Sequence, residues 1–142
     1  CSIGKIYEGY KDFQYSSRCY EEALKGNLSD QEMLDTLKLC SFAYKKQGEW
    51  EKAESSWYDI ISLSSQFIFH PYEELAKYYE HKLKDFYQAV SIVEEALSRL
   101  KKENNISWNV KTQWQNSLTK RLDRIKRKQQ LLKAKNENRN AE

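Results

Sequence analysis

An all-α fold of stacked helical hairpins is what this sequence predicts, on three observations. Gly occurs four times and Pro once, far too few for the many turns of an all-β domain. Three segments superimpose in phase, with the equivalent positions Ala23, Ile60 and Ala96 separated by 37 and 36 residues. Within each segment small and bulky apolar residues alternate at three- and four-residue steps, the spacing of one buried helix face.

The repeated pattern can be written residue by residue. The first copy is Ile3-Gly4-x2-Tyr7…Phe13-x2-Ser16-x3-Tyr20-x2-Ala23-Leu24. The second is Cys40-Ser41-x2-Tyr44…Gly48-x-Trp50-x2-Ala53-x3-Trp57-x2-Ile60-Ile61. The third is Leu75-Ala76-x2-Tyr79…Phe86-x2-Ala89-x3-Val93-x2-Ala96-Leu97. Two short antiparallel helices approach closely only where small side chains meet. Gly4, Ser41 and Ala76 supply them on the first helix of each hairpin, and Ser16, Ala53 and Ala89 on the second. Tyr20, Trp57 and Val93 then fill the space between hairpins.

Taken in order, the helices are expected at 1–10, 13–25, 30–47, 50–64, 71–81, 86–102 and from 108 to 130 or beyond. Asn27-Leu28-Ser29-Asp30 reads as a connector ending in an N-cap, Ser29 or Asp30. Gly48 closes the middle hairpin, Pro71 suits the first turn of a helix, and Ser107 is the N-cap expected for the last helix. There Trp114-x3-Leu118-x3-Leu122-x2-Ile125 forms one apolar face, able to cap the end of a stack. Beyond Gln130 the apolar period is lost, and residues 131–142 are expected to fray as a polar tail.

Composition narrows the class. One shared core fits 142 residues. Charged residues make up 32% of the chain, but aromatics reach 13%, which sets it apart from disordered chains. No apolar run approaches the roughly eighteen residues that span a bilayer. Cys1, Cys19 and Cys40 lack CxxC spacing and read as buried free thiols of a reducing, cytoplasmic compartment. Residues 118–142 carry nine Lys/Arg against three Asp/Glu, whereas the other 117 are net acidic.

Nothing in the sequence composes a catalytic or cofactor site. His70 and His81 are too far apart on one helix to share a metal ion. Glu21-Glu22, Glu73-Glu74 and Glu94-Glu95 are adjacent residues pointing about 100° apart, as on solvated faces. No GxGxxG, P-loop or nucleophile elbow occurs. The expectation is therefore no enzyme, no metal and no cofactor.

The repeats resemble the tetratricopeptide repeat over roughly residues 1–100, which implies a domain over 1–130: repeats at 1–26, 30–65 and 70–102, with a basic capping helix at 108–130. It departs from the family at Lys11, where a turn Gly is usual, in one extra residue in His81-Lys82-Leu83-Lys84-Asp85, and in lacking the Pro at the repeat end. The resemblance implies a concave groove holding a protein or peptide, lined in this register by Lys5, Glu8, Lys38, Phe42, Lys45, Lys46, Lys77 and Glu80. Tyr78, like Phe42, lies off the packing positions. One class of these domains grips a C-terminal carboxylate with Lys, Arg and two Asn; Lys38, Lys45 and Lys77 are present, but no Asn matches.

A narrower resemblance rests on Glu74-Leu75-Ala76-Lys77-Tyr78-Tyr79-Glu80-His81-Lys82-Leu83-Lys84-Asp85-Phe86, on Glu95-Ala96-Leu97, and on Leu118-Thr119-Lys120-Arg121-Leu122-Asp123-Arg124-Ile125-Lys126-Arg127-Lys128. These resemble the C-terminal helical region of bacterial proteins that carry a ribonuclease H-like, exonuclease-type domain upstream. The resemblance covers about residues 34–128 and implies an accessory module of a nucleic-acid-processing protein, partnered by that upstream domain. None of the catalytic carboxylates falls on this chain.

Two further readings stay open. Lys120, Arg121, Arg124, Lys126, Arg127 and Lys128 form either a solvated helix face or a phosphate-contacting one; no aromatics interleave with them in sequence, so base stacking is not expected. The chain opens on Cys1 with Ile3, Gly4 and Tyr7 already in helical register, as in a segment of a longer protein. The other reading is a mature lipoprotein scaffold acylated at Cys1, the one case in which a membrane would be a partner.

Overall fold

The computed structural model describes residues 29–141, and these are all-helical, with no strand among them. The expected helices 1–10 and 13–25, with Lys5, Glu8, Cys1 and Cys19, lie outside the described residues. The chain divides after Ser65 into two compact units.

The first unit, as described, is one hairpin of α1 (Asp30–Gln47) and α2 (Trp50–Leu63). Ser29 is the N-cap: its Oγ accepts from the Glu32 amide at 3.2 Å and donates to the Glu32 carboxylate at 2.9 Å. Ser29-x-x-Glu32 thus ties off a free donor of the first turn. Asp30 and Glu32 in that turn and Lys45 and Lys46 in the last suit the helix dipole. The exit is a Schellman turn. Gly48 takes φ +78°, its amide donates to the Lys45 carbonyl, and the Glu49 amide donates to the Tyr44 carbonyl at 2.9 Å. Leu37, Cys40, Ala43 and Tyr44 of α1 are buried, as are Ala53, Trp57 and Ile60 of α2. Ser41 and Ala53, the small residues expected at the close contact, are both buried, and so is Ala43. The buried hydroxyls of Thr36, Ser41 and Ser56 donate to carbonyls one turn back.

The second unit has α3 (Phe69–Lys77), which runs into a π-helical turn (Tyr78–Lys82), then α4 (Phe86–Lys102) and α5 (Trp108–Ala141). Pro71 sits in the first turn of α3 as expected, but the helix starts two residues earlier than 71. The extra residue of this hairpin is absorbed by the π turn, whose Leu83 amide donates to the Tyr78 carbonyl at 3.1 Å. Lys84 then takes φ +51°, and the Asp85 amide donates to the Tyr79 carbonyl at 2.8 Å. The two hairpins therefore close alike: a left-handed residue (Gly48, Lys84), then an amide returned to the repeat tyrosine (Tyr44, Tyr79). Asp85 caps α4 by accepting from the Gln88 amide.

Helix α5 packs on α4 through the predicted stripe, with Leu118 and Ile125 essentially inaccessible. Its entry is held by aromatics. Phe67 stacks on Tyr72 with centroids 5.4 Å apart, and Trp114 stacks on Phe69 at 5.3 Å. The helix does not fray after Gln130; it continues to Ala141. Losing the apolar period removes a packed face but not helicity, and Leu131, Leu132, Lys133, Ala134 and Lys135 are all good helix formers.

Candidate functional site

The α5 cations do not fan out as one surface. Arg121, Arg124 and Lys128 follow one another at three and four residues, so they share one stripe of the helix. That stripe meets Glu80, which the π turn carries. The Glu80 side chain is wholly buried. Arg124 grips it with two bonds, Nε to Oε2 at 2.8 Å and Nη2 to Oε1 at 2.6 Å. Lys128 Nζ donates to Oε2 at 2.7 Å, and Arg121 Nη1 reaches Oε1 at 3.4 Å. His81 Nε2 lies 3.5 Å from Oε1. Burial alone would raise the Glu80 pKa. The hydrogen bonds from Arg124 and Lys128 and the charges of Arg124 and His81 together outweigh it and hold the carboxyl at about 2. Hydrogen bonding to Glu80 likewise raises the Arg124 pKa.

Of the six cations expected to meet phosphate, these three thus have an internal partner, while Lys120, Lys126 and Arg127 are exposed. Lys120 and Arg127 lie seven residues apart on one meridian of α5, and Lys126 is about 120° around from Lys120. Nothing local in the sequence pairs Glu80 with residues more than forty positions on; the usable signal is the spacing of Arg121, Arg124 and Lys128.

The expected groove residues are treated unequally. Lys38, Phe42, Lys45 and Lys46 share one face of α1 by their spacing. Phe42 is 48% exposed, with Lys46 Nζ 5.4 Å from its ring centroid. On the second unit, Lys77 pairs with Glu73 at 3.2 Å and reaches Glu74 at 4.0 Å. Glu80 cannot face an open groove, because α5 covers it. Tyr78 is also buried, against Tyr79, and Glu74, expected on a solvated face, is buried as well.

A cavity of about 410 Å³ in the first unit is lined by Met33, Leu37, Asp59, Ser62 and Leu63. Partial burial raises the Asp59 pKa. Among the described residues no three His, Cys, Asp or Glu side chains cluster so as to hold a metal ion, and no helix is long and apolar enough to cross a membrane.

No family model matches the chain, and no solved structure matches it. The uncharacterized protein YprB of Bacillus subtilis (strain 168) is 30% identical over 99 residues, which cover 68% of this chain and 23% of YprB. The chain thus spans about a quarter of the length of that relative.

Proposed function

We propose that this chain is a non-catalytic interaction scaffold, a tetratricopeptide-like solenoid acting as an accessory module of a larger bacterial, cytoplasmic, nucleic-acid-processing protein. The hairpin turn made alike at Gly48 and Lys84, in phase with the sequence repeat, supports the solenoid. The small fraction of YprB matched here supports a module within a longer chain. The observation that carries the binding role is the α1 face, where Lys46 Nζ lies 5.4 Å from the ring of exposed Phe42 and spacing puts Lys38 and Lys45 on the same side. An exposed aromatic under cations suits a segment with apolar and acidic side chains. Its partner is a peptide or the parent protein's own upstream domain.

The test has two arms. The isolated chain should cleave neither DNA nor RNA with Mg²⁺ or Mn²⁺ present; metal-dependent degradation that survives repurification overturns the non-catalytic reading. Binding of partner segments should weaken about tenfold in Phe42→Ser, and unchanged binding removes the α1 face from the site. A second reading, weak nucleic-acid binding along α5, draws on the exposed Lys120, Lys126 and Arg127.

A further inference from the structure

Seven large apolar side chains are exposed among the described residues: Phe42, Tyr58, Leu83, Tyr87, Trp108, Leu131 and Leu132. Four of them belong to one end of the second unit, Leu83 and Tyr87 at the hairpin turn and Leu131 and Leu132 on α5. Leu83, Tyr87 and Leu132 join Phe86, Lys84, Asp85 and Gln129 in lining a cavity of about 470 Å³. Tyr87 is 77% exposed and Leu132 47%. Exposed apolar residues scattered singly need no explanation, but a gathered set around a concavity does.

The charge beside this cavity is mostly positive: Asp85 in its lining is engaged as the cap of α4, accepting from the Gln88 amide at 3.1 Å, while Lys84 and the α5 cations adjoin it. Lys128 stands one turn before Leu132 on α5, on the same face, and belongs with Arg121 and Arg124 to the cluster around Glu80. Three cations meet one carboxylate there. The Arg124 and Lys128 side chains remain 43% and 38% exposed, so the cluster keeps unspent positive charge towards solvent. From residue 120 to 141 the helix carries nine Lys/Arg against Asp123 and Glu137. A second copy of this end would bring like charges together. A protein segment pairing apolar with acidic side chains complements both features.

We infer that the cavity between the Leu83–Tyr87 turn and the Gln129–Leu132 turn of α5 docks an acidic amphipathic peptide segment. One or two of its apolar side chains enter between Leu83, Phe86 and Leu132, and its carboxylates lie towards Arg124 and Lys128. The surface shares no residue with the α1 face proposed above, and the inference stands without it. The leucines favour a protein segment over single-stranded nucleic acid, which would use Tyr87 for base stacking but has little use for Leu83 or Leu132.

The test is selection from a displayed library of helical peptides with Leu, Ile or Phe at helical spacing and Glu, Lys or Gln elsewhere, against the whole 142-residue chain. Selected peptides should be enriched in Glu over Lys. Their affinity by fluorescence anisotropy should fall about tenfold or more in Tyr87→Ser/Leu132→Ser, whose circular dichroism should match the parent because both side chains are exposed. Failure to select any peptide overturns the inference, as does selection without acidic preference. Peptides lost by Phe42→Ser but not by the double variant would leave the α1 reading standing and sink this one. An oligo-dT strand whose binding the double variant abolishes, with no peptide behaving so, would assign the surface to nucleic acid instead.

Discussion

Lys84 and Gly48 occupy equivalent left-handed positions with different side chains, and the difference is measurable. A left-handed conformation costs an L-residue about 1–2 kcal/mol, offset in part by glycine's greater entropy loss on folding. Lys84→Gly should therefore stabilise the chain by a few tenths to about 1 kcal/mol in urea unfolding. Gly48→Ala should destabilise it by about 1 kcal/mol, for conformational reasons alone, since a Cβ there would meet nothing within 4 Å. Glu80 supplies the pH dependence. Its carboxyl is held at about 2, below the ordinary 4.5, so its contribution is complete above about pH 4.5 and is lost as pH falls towards 2. The amount is on the order of 3 kcal/mol. Thermal melts of Glu80→Gln should start lower at neutral pH and lack that part of the acid decline; an identical decline in the variant would show that other carboxylates cause it.

The helices differ in what holds them. In α2, Ala53 is fully buried while Glu51 is exposed. Ala53→Leu should destabilise by about 1–3 kcal/mol through overpacking, with Glu51→Leu close to neutral; equal melting temperatures would refute the hairpin register. Helix α5 is held by its first half. Leu118 and Ile125 are buried, whereas residues 131–140 are all exposed. Ending the chain after Gln130 should change stability by less than about 0.5 kcal/mol, although it removes Leu132 and with it one wall of the cavity proposed for peptide docking. A large fall in melting temperature would mean that the last turns are packed.

For the whole molecule the question is whether α5's charge serves a partner or its own fold. Of the six cations expected to meet phosphate, Arg121, Arg124 and Lys128 are bonded to Glu80, while Lys120, Lys126 and Arg127 are exposed. Two or three contacts from Lys120, Lys126 and Arg127 imply a log–log salt slope of about −2 to −3 on duplex DNA. Replacing Lys120, Lys126 and Arg127 with Gln should flatten whatever slope is seen without loss of stability. A triple change that includes Lys128 would also weaken the Glu80 cluster and confuse the two effects. No binding to DNA or RNA in about 50 mM salt would leave these three as a solvated surface.

By itself the sequence determined the all-helical class, an N-cap at Ser29 or Asp30, the C-cap at Gly48, the small residues Ala53 and Ala89, and the Leu118–Ile125 stripe. Each is a local or periodic property, set by backbone conformation and by burial of one helix face. The odd residue at 81–85 was legible as an irregularity, but its outcome was not, because a looped-out residue and a π turn have the same sequence spacing. Helicity past Gln130 was missed because periodicity reports a packed face rather than a helix. Only the tertiary structure decided that Glu80 lies buried under Arg121, Arg124 and Lys128, and that Tyr87 and Leu83 share a cavity with Leu132. Those pairings span more than forty residues and depend on how α5 packs in its unit, and neither propensity nor spacing encodes that.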